Sequence, residues 1–557
     1  MAAWRGPRAR LGGPMRRIGP SELEGRTVDV LIIGGGITGA AAARDAALRG
    51  LDVALLEADD YASGTSSRST KLLHGGLRYL KQRAFAMVRE SCRERELMGV
   101  LAPHLARPRS FFYLLYPEDP EPLWQLGVGL RLYDLFSGNP PQRRNHTVST
   151  AQILAAEPHL RREGLRGGGK LHDFITDDAR LTIDTVKSAV DAGALAANHT
   201  AVEGFLTDGS GRLTGVTARD SLSDEAFKVR ARVVVNAAGP WVDTVRGLRD
   251  PSTPPMLRPT KGIHIVLSRS DFPLWHALFF RHPRDGRSVW PIPAIDPDLV
   301  YVGTTDTDYD GPLDDVAADD DDVDYLLEAA NHIVPEARLD RSHIRGTWAG
   351  LRPLVAADPD ASASDVSREH VITTDDDGLV TIAGGKLSTA RAMAEQLIDV
   401  VAEALRERHG LPTPGRCRTA EIPLTGGHAN GWERARRRSH ESGLAPADAY
   451  RIVNRYGSEA ETVLDLLRDE PDLATVVHPG LTRAECAFAC RREQARTVTD
   501  VLVRRTSEFF WAPDGGAGAA EAVAAAMADE LGWSAAERDR EVSDYTGWRR
   551  RNGYRLT

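Results

Sequence analysis

Val28-Asp-Val-Leu-Ile-Ile-Gly-Gly-Gly-Ile-Thr-Gly39, with Ala40-Ala-Ala-Ala-Arg-Asp-Ala-Ala-Leu48, Gly50 and the run Val53–Leu56 closing on Glu57, decides the fold. Val28 to Ile33 is a short β-rich run of the kind buried in a parallel sheet. Gly34, Gly36 and Gly39 then place G-x-G-x-x-G where strand must turn into helix. The first glycine permits the turn, the second lets backbone N–H groups approach a pyrophosphate, and the third lets helix pack on strand. The helix aims its positive end at the phosphates, its alanine-rich body is a strong helix former, and Gly50 ends it. Val53 to Leu56 is a second strand delivering Glu57, whose carboxylate can accept hydrogen bonds from adenosine ribose hydroxyls. Strand, glycines, helix, strand and acid in register specify a dinucleotide-binding α/β unit.

The chain has 557 residues, 42% hydrophobic and 27% charged, enough for two or three domains. A net charge of -9 argues against a nucleic-acid partner. Cys92, Cys417, Cys486 and Cys490 lack metal-ligand spacing and any disulfide framework, which fits a reducing cytoplasm, and no metal site is expected. Cys486 and Cys490 read as packed thiols on one helix. No run reaches the roughly twenty apolar residues of a membrane span, so any membrane attachment is expected to be peripheral. Residues 1–25 form a basic arm with Arg5, Arg8, Arg10, Arg16 and Arg17. Lacking an apolar h-region, it reads as a disordered tail or an extension upstream of Met15, with contact to anionic lipid as the alternative.

Two further strand-turn segments extend the cofactor domain. Val233-Val-Val-Asn-Ala-Ala-Gly-Pro-Trp241 breaks into small residues, placing Gly239 near the cofactor. Leu379-Val-Thr-Ile-Ala-Gly-Gly-Lys-Leu-Ser-Thr389 carries Gly385, Lys386 and Leu387 to the start of a helix over Ala392 to Glu403, a place to stabilise negative charge. Between them, Ile263-His-Ile-Val-Leu267 and Leu299-Val-Tyr-Val302 predict an antiparallel sheet covering the substrate. The expected division is a discontinuous cofactor domain over 26–105, 170–250 and 350–410, a cap over 106–169 and 251–349, and a helical domain over 415–557 with long periods at Ala460 to Asp469 and Ala484 to Arg505.

With no second G-x-G-x-x-G after a strand, the single site holds either NAD as cosubstrate or tightly bound FAD. Ser63-Gly-Thr-Ser-Ser-Arg-Ser-Thr-Lys-Leu-Leu-His-Gly-Gly-Leu-Arg-Tyr79, dense in hydroxyls and cations directly after Glu57, favours FAD. Here the chain resembles the FAD-dependent glycerol-3-phosphate dehydrogenases, in Thr65-Ser-Ser67, Lys71-Leu72, His74-Gly-Gly-Leu-Arg-Tyr-Leu80, Lys261-Gly-x-His264, Gly303-Thr-Thr-Asp306, Gly350-Leu-Arg-Pro353, Gly385-Lys-Leu387 and Arg504-Arg-Thr506.

The resemblance implies an FAD domain of the glutathione-reductase/D-amino-acid-oxidase type binding the flavin non-covalently. It further implies oxidation of sn-glycerol 3-phosphate to dihydroxyacetone phosphate, with electrons passed to a quinone. Gly34, Gly36, Gly39, Glu57, Thr65, Ser66, Ser67, Lys71, Leu72, Gly239, Gly385, Lys386 and Leu387 are the expected cofactor contacts. A phosphorylated polyol needs fixed cations, for which Arg78, Arg352 and Lys386 are placed, with Tyr79 as a donor. His264 suits the base for the C2 hydroxyl proton, Arg352 also fits stabilisation of an alkoxide-like transition state, and Lys386 serves either substrate or the flavin N1 and C2 carbonyl. The cytoplasmic face of a membrane and a homodimer are compatible with the chain. Oxygen as acceptor, a related amine or amino-acid oxidase, and a silent flavin-binding protein are the competing readings.

One departure from the family pattern and one near miss to a calcium loop stand out. Ser388-Thr-Ala-Arg391 replaces the family's Thr-Thr-Tyr-Arg, removing an aromatic ring at Ala390. Asp306-x-Asp308-x-Asp310-Gly311 approaches a calcium loop but reaches Ala317 where a bidentate Glu belongs, so it reads as a turn, and Asp319 to Asp322 reads as a solvated acidic loop.

Overall fold

The structure is a computed structural model that describes residues 15–76, 84–355 and 370–553. Thr27–Ile33 pairs in parallel with Val53–Leu56 on one side and Glu225–Asn236 on the other. Leu195–Ala197 and Val380–Gly384 extend the parallel order outward, and His370–Thr374 adds an antiparallel edge. Parallel strands bury both faces, so these segments are near-continuous apolar runs rather than alternating ones. Helix Ile37–Leu48 packs between helices Asp178–Asp191 and Ala390–His409 on one face, its alanines allowing close approach.

The second sheet has ten strands. Its centre is Leu257–Ser268, flanked antiparallel by Leu299–Gly303 and Ile344–Val355. Two expectations change here. The sheet is not wholly antiparallel, because Ala277–Arg281 runs parallel to Arg107–Leu114. Strand Gly168–Ile175, which the expected division splits at 170 between cap and cofactor domain, pairs along its length with Arg107–Leu114 and at its end with Leu72–Leu73, and Ile344–Val355 carries the cap past position 350. A strand joins the sheet whose edge it completes, which local composition does not reveal.

The C-terminal part is helical, with a small two-stranded sheet of Val476–His478 and Leu481–Thr482. The expected continuous period from Ala484 to Arg505 is broken: Arg483–Arg492 ends before Gln494, at φ 56, and a π-helix resumes over Asp500–Arg505. The break turns Glu493 inward, where Arg180 meets both its carboxylate oxygens at 2.7 Å. Asp60 accepts from Arg504 Nε at 2.6 Å and from both terminal nitrogens of Arg505, so buried charge ties the first strand-turn unit to the last third of the chain.

The arm is partly structured. Arg17 pairs with Asp220 at 2.7 Å and donates to Asn198 O, while Met15 and Ile18 are buried, an anchorage its composition did not foretell. Asp319 to Asp322 caps helix Asp320–Ile333 instead of forming a loop, and Asp319 and Asp322 both hold Lys261 at 2.6 Å. Cys486 and Cys490 are buried and unbonded, and burial pushes the Cys490 thiol up to about 12, as inert packed thiols require. Among the described residues no helix is long and apolar enough to cross a membrane.

Candidate active site

Two adjoining cavities, of about 690 and 250 Å³, lie between the sheets and share Thr65, Arg68, Ser69, Pro353, Gly385, Lys386 and Leu387. The larger one opens over the glycine turn. Gly34 sits at φ +107 with the Ala237 carbonyl oxygen 2.7 Å from where a Cβ would lie, so only glycine completes this crossing. A Cβ at Gly39 would overlap the Gly34 carbonyl, which is the close packing its place in the motif anticipates. Gly36 caps helix Ile37–Leu48 and faces the cavity, with only Ser66 Oγ near its missing side chain.

Glu57 stands half-buried at the cavity wall, accepting from Gly35 N at 2.6 Å and Asp59 N at 3.0 Å. Burial pushes its carboxyl up to about 7, outweighing the two N–H bonds, with Asp59 and Asp60 adding repulsion. Ser66 Oγ accepts from Ile37 N at 2.9 Å, bracing the helix start, and Gly239 also faces this cavity.

The smaller cavity contains His264, Arg352 and Lys386, three residues from separate segments. His264 lies on the central cap strand, 2% exposed, opposite Trp348 on one neighbouring strand and Gly303 on the other. The Trp348 ring stacks on it at 4.6 Å and 12°, while Gly303 has no side chain to collide with the imidazole. Nε2 shares a 3.1 Å hydrogen bond with Thr70 Oγ1, and Nδ1 is buried with no partner among the described residues. Burial, reinforced by the Arg352 and Lys71 charges, holds the ring well below its usual pKa and therefore neutral at pH 7.

Arg352 donates to Asp306 Oδ1 at 2.9 Å, to Thr304 Oγ1 at 3.0 Å and to Thr305 O at 3.1 Å, over the space left by Gly262. Asp306 thus orients a guanidinium, and Asp308 of the same acidic turn is held by Arg258 at 2.8 Å. Lys386 comes just after strand Val380–Gly384, caps the turn Leu387–Thr389 that feeds helix Ala390–His409, and lines both cavities.

Four expected cofactor contacts have other places, the first being Gly39, which packs against the Gly34 carbonyl and lines neither cavity. Lys71 Nζ is buried against Asp178 Oδ1 at 2.6 Å and Ser67 O at 3.0 Å, and lies 4.2 Å from the Phe510 ring centre, so its charge is spent inside the protein. Ser67 is buried, serving that ammonium with its carbonyl. Leu72 faces the smaller cavity, not the larger. Arg78 and Tyr79 lie outside the described residues.

Sequence reading also passed over contributors. Arg68, half-buried inside the quoted hydroxyl-rich segment, borders both cavities, and burial together with the nearby Arg504 charge lowers its pKa to about 10. Thr70 and Trp348 fix the imidazole, and Phe279 against Trp290, 4.5 Å between ring centres, gives the smaller cavity an apolar wall. The cation in the hydroxyl-rich segment was a usable signal for Arg68. Thr70 and Trp348 carried none without the sheet register.

This architecture has known counterparts. A family profile described as FAD dependent oxidoreductase matches residues 29–400, and one described as the C-terminal domain of alpha-glycerophosphate oxidase matches 417–538. The aerobic glycerol-3-phosphate dehydrogenase of Bacillus subtilis is 40% identical over 504 residues, covering 88% of this chain and 89% of the relative. The chain belongs to the FAD-dependent glycerol-3-phosphate dehydrogenase family. Another relative of that name, from Staphylococcus haemolyticus, is 38% identical, with 89% of each chain covered. The glycerol-3-phosphate dehydrogenase from Bacillus halodurans, solved in complex with FAD, aligns with a TM-score of 0.79 at 34% identity and 96% coverage of both chains. L-alpha-glycerophosphate oxidase from Mycoplasma pneumoniae, at a TM-score of 0.54 and 19% identity over 72% of this chain and 99% of its own, shares the fold.

The family's cofactor fits the larger cavity on this chain's own features. The cavity has the volume of a cofactor site. Its wall carries the helix start at Gly36, open for a pyrophosphate, and Glu57 ready to accept from hydroxyls. Lys386 and Arg68 supply positive charge at the boundary with the smaller cavity.

Proposed function

We propose that this chain oxidises sn-glycerol 3-phosphate to dihydroxyacetone phosphate, with the substrate in the smaller cavity, FAD in the larger, and a quinone as final electron acceptor. The observation that carries this reading is the seam itself: cations and a neutral imidazole from three segments converge beside the space where the dinucleotide motif ends. FAD, when bound, supplies the hydride acceptor. Gly34, Gly36, Glu57, Ser66, Gly239 and Gly385 hold it, with Thr65, Lys386 and Leu387 at the boundary.

Arg352, Lys386 and Arg68 bind the substrate phosphate. Arg352 is preoriented by Asp306 and Thr304, so little side-chain freedom is lost on binding. His264 accepts the C2 hydroxyl proton. A neutral ring with a depressed pKa is a weak base, so it takes that proton as the hydride leaves rather than before, and Arg352 stabilises the negative charge developing on the oxygen. The Phe279–Trp290 wall keeps water from the reacting carbon.

Anaerobic addition of glycerol 3-phosphate is expected to bleach the visible flavin absorbance, with a quinone analogue restoring it. A spectrum that stays oxidised defeats the reading, and peroxide formed stoichiometrically in air replaces the quinone by oxygen.

A site on the cytoplasmic face of a membrane is consistent with helix Leu123–Ser137, which buries Leu126, Leu130 and Tyr133 but leaves Trp124 72% and Leu135 75% exposed. With Arg131 exposed between them, this face suits an anionic lipid surface, where its quinone acceptor resides. Co-sedimentation with anionic vesicles, lost in Trp124→Ser/Leu135→Ser, tests the contact. Molecular mass in solution shows instead whether a second copy covers the face as a homodimer.

A further inference from the structure

The last helix, Ala535–Asn552, ends on the larger cavity, whose wall includes Trp548, Arg551 and Asn552. No dinucleotide motif involves this end of the chain, and the C-terminal family profile stops at 538. Three features suit the helix end to a ligand. Asn552 is 3% exposed, and its amide nitrogen donates to Trp548 O at 3.0 Å, which fixes the side-chain orientation. Its Oδ1 is then left buried with no hydrogen-bond partner among the described residues, an acceptor awaiting a donor. The Arg68 guanidinium lies 5.7 Å from the Trp548 ring centre, linking the helix to the seam between the cavities. Arg551 reaches Asp315 at 3.4 Å, tying the helix end to the cap loop beside Asp314, which itself accepts from Trp241 Nε1 at 3.1 Å.

We propose that the end of the C-terminal helix is part of the cofactor site: Asn552 Oδ1 accepts a hydrogen bond from a hydroxyl or amino group of FAD, and Trp548 and Arg551 hold that wall against it. The inference rests on FAD filling the larger cavity. It makes the final helix a retaining element of the cofactor.

Two measurements test it, neither depending on turnover. FAD release from purified holoprotein is followed by flavin fluorescence after dilution, for the wild type and Asn552→Leu. Amide hydrogen exchange across 545–553 is followed in the wild type with and without FAD. We expect release at least tenfold faster from Asn552→Leu and slower exchange across 545–553 when FAD is bound. Wild-type release from the variant, or exchange indifferent to FAD, overturns the proposal while leaving FAD in its cavity. Should Asn552→Leu not fold, wild-type exchange alone decides. Wild-type protein that takes up no FAD overturns the cofactor reading and this inference together.

Discussion

The two cavities share a wall but are built by opposite means. At the dinucleotide turn the larger one offers backbone: glycines at a strand-to-helix turn, a helix start, and one carboxylate held by two N–H groups. The smaller is shaped by side chains, each held in place by a partner distant in sequence: Arg352 by Asp306, His264 by Thr70 and Trp348. A long ligand with a buried pyrophosphate can be recognised by consecutive N–H groups. A small, highly charged substrate cannot, and needs cations brought together by the whole fold.

Damage to either cavity should therefore separate cleanly. Gly39→Leu drives a side chain into the Gly34 carbonyl and is expected to yield protein without flavin, read as the ratio of visible to protein absorbance. Flavin retained at full stoichiometry would break the comparison. His264→Gln attacks only the smaller cavity: kcat is expected to fall by ~10³-fold, about 4 kcal/mol in barrier, with flavin content unchanged. Loss of flavin there would mean that the two sites are not separable.

Lys71 sharpens the contrast, because it serves the smaller cavity from outside it. Lys71→Met leaves Asp178 buried without its counter-charge and is expected to cost about 3–5 kcal/mol in urea unfolding, part of which Lys71→Met/Asp178→Leu recovers. In Lys71→Met alone the His264 pKa rises towards its ordinary value, since burial remains but one of the two cationic neighbours is gone. Protonated His264 cannot accept a proton, so the acid limb of kcat/KM is expected to move to higher pH. An unmoved limb would make Lys71 purely structural.

The smallest effect belongs to the larger cavity. Without ligand the Glu57 pKa is raised to about 7, so ionising this carboxyl lowers the stability of the unliganded fold as pH climbs from its unfolded value through 7. Ribose hydroxyls donating to the ionised form lower that pKa, so FAD is expected to bind several-fold more tightly at pH 8 than at pH 6. Reconstitution titrations check this, and Glu57→Gln should flatten the trend.

The same contrast explains what could be read in advance. Strand Val53–Leu56, the turn at Gly34 to Gly39 and the lead into Lys386 were legible because their signals are local and periodic. Lys71 misled because a cation beside hydroxyls looks alike whether it meets a ligand or a buried Asp178 far along the chain. The break at Glu493 and Gln494 was hidden for a related reason: a helical period continues through it, and the partners that hold the turn, Arg180 and Lys187 on Glu493 and Tyr61 on Gln494, lie far away in the sequence. Gly168–Ile175 belongs to the cap because it pairs along its length with Arg107–Leu114, a fact of topology.

The Asp60 carboxylate, which accepts from Arg504 and Arg505, also imposes an order on biosynthesis. Asp60 emerges from the ribosome 444 residues before Arg504 and 445 before Arg505. Until then this carboxylate lacks the charges that let it be buried, and the first nucleotide-binding strands cannot be locked in their final packing. Completion of the cofactor domain is thus a late, whole-chain event, and a prematurely terminated product would carry the dinucleotide motif without the means to finish folding around it.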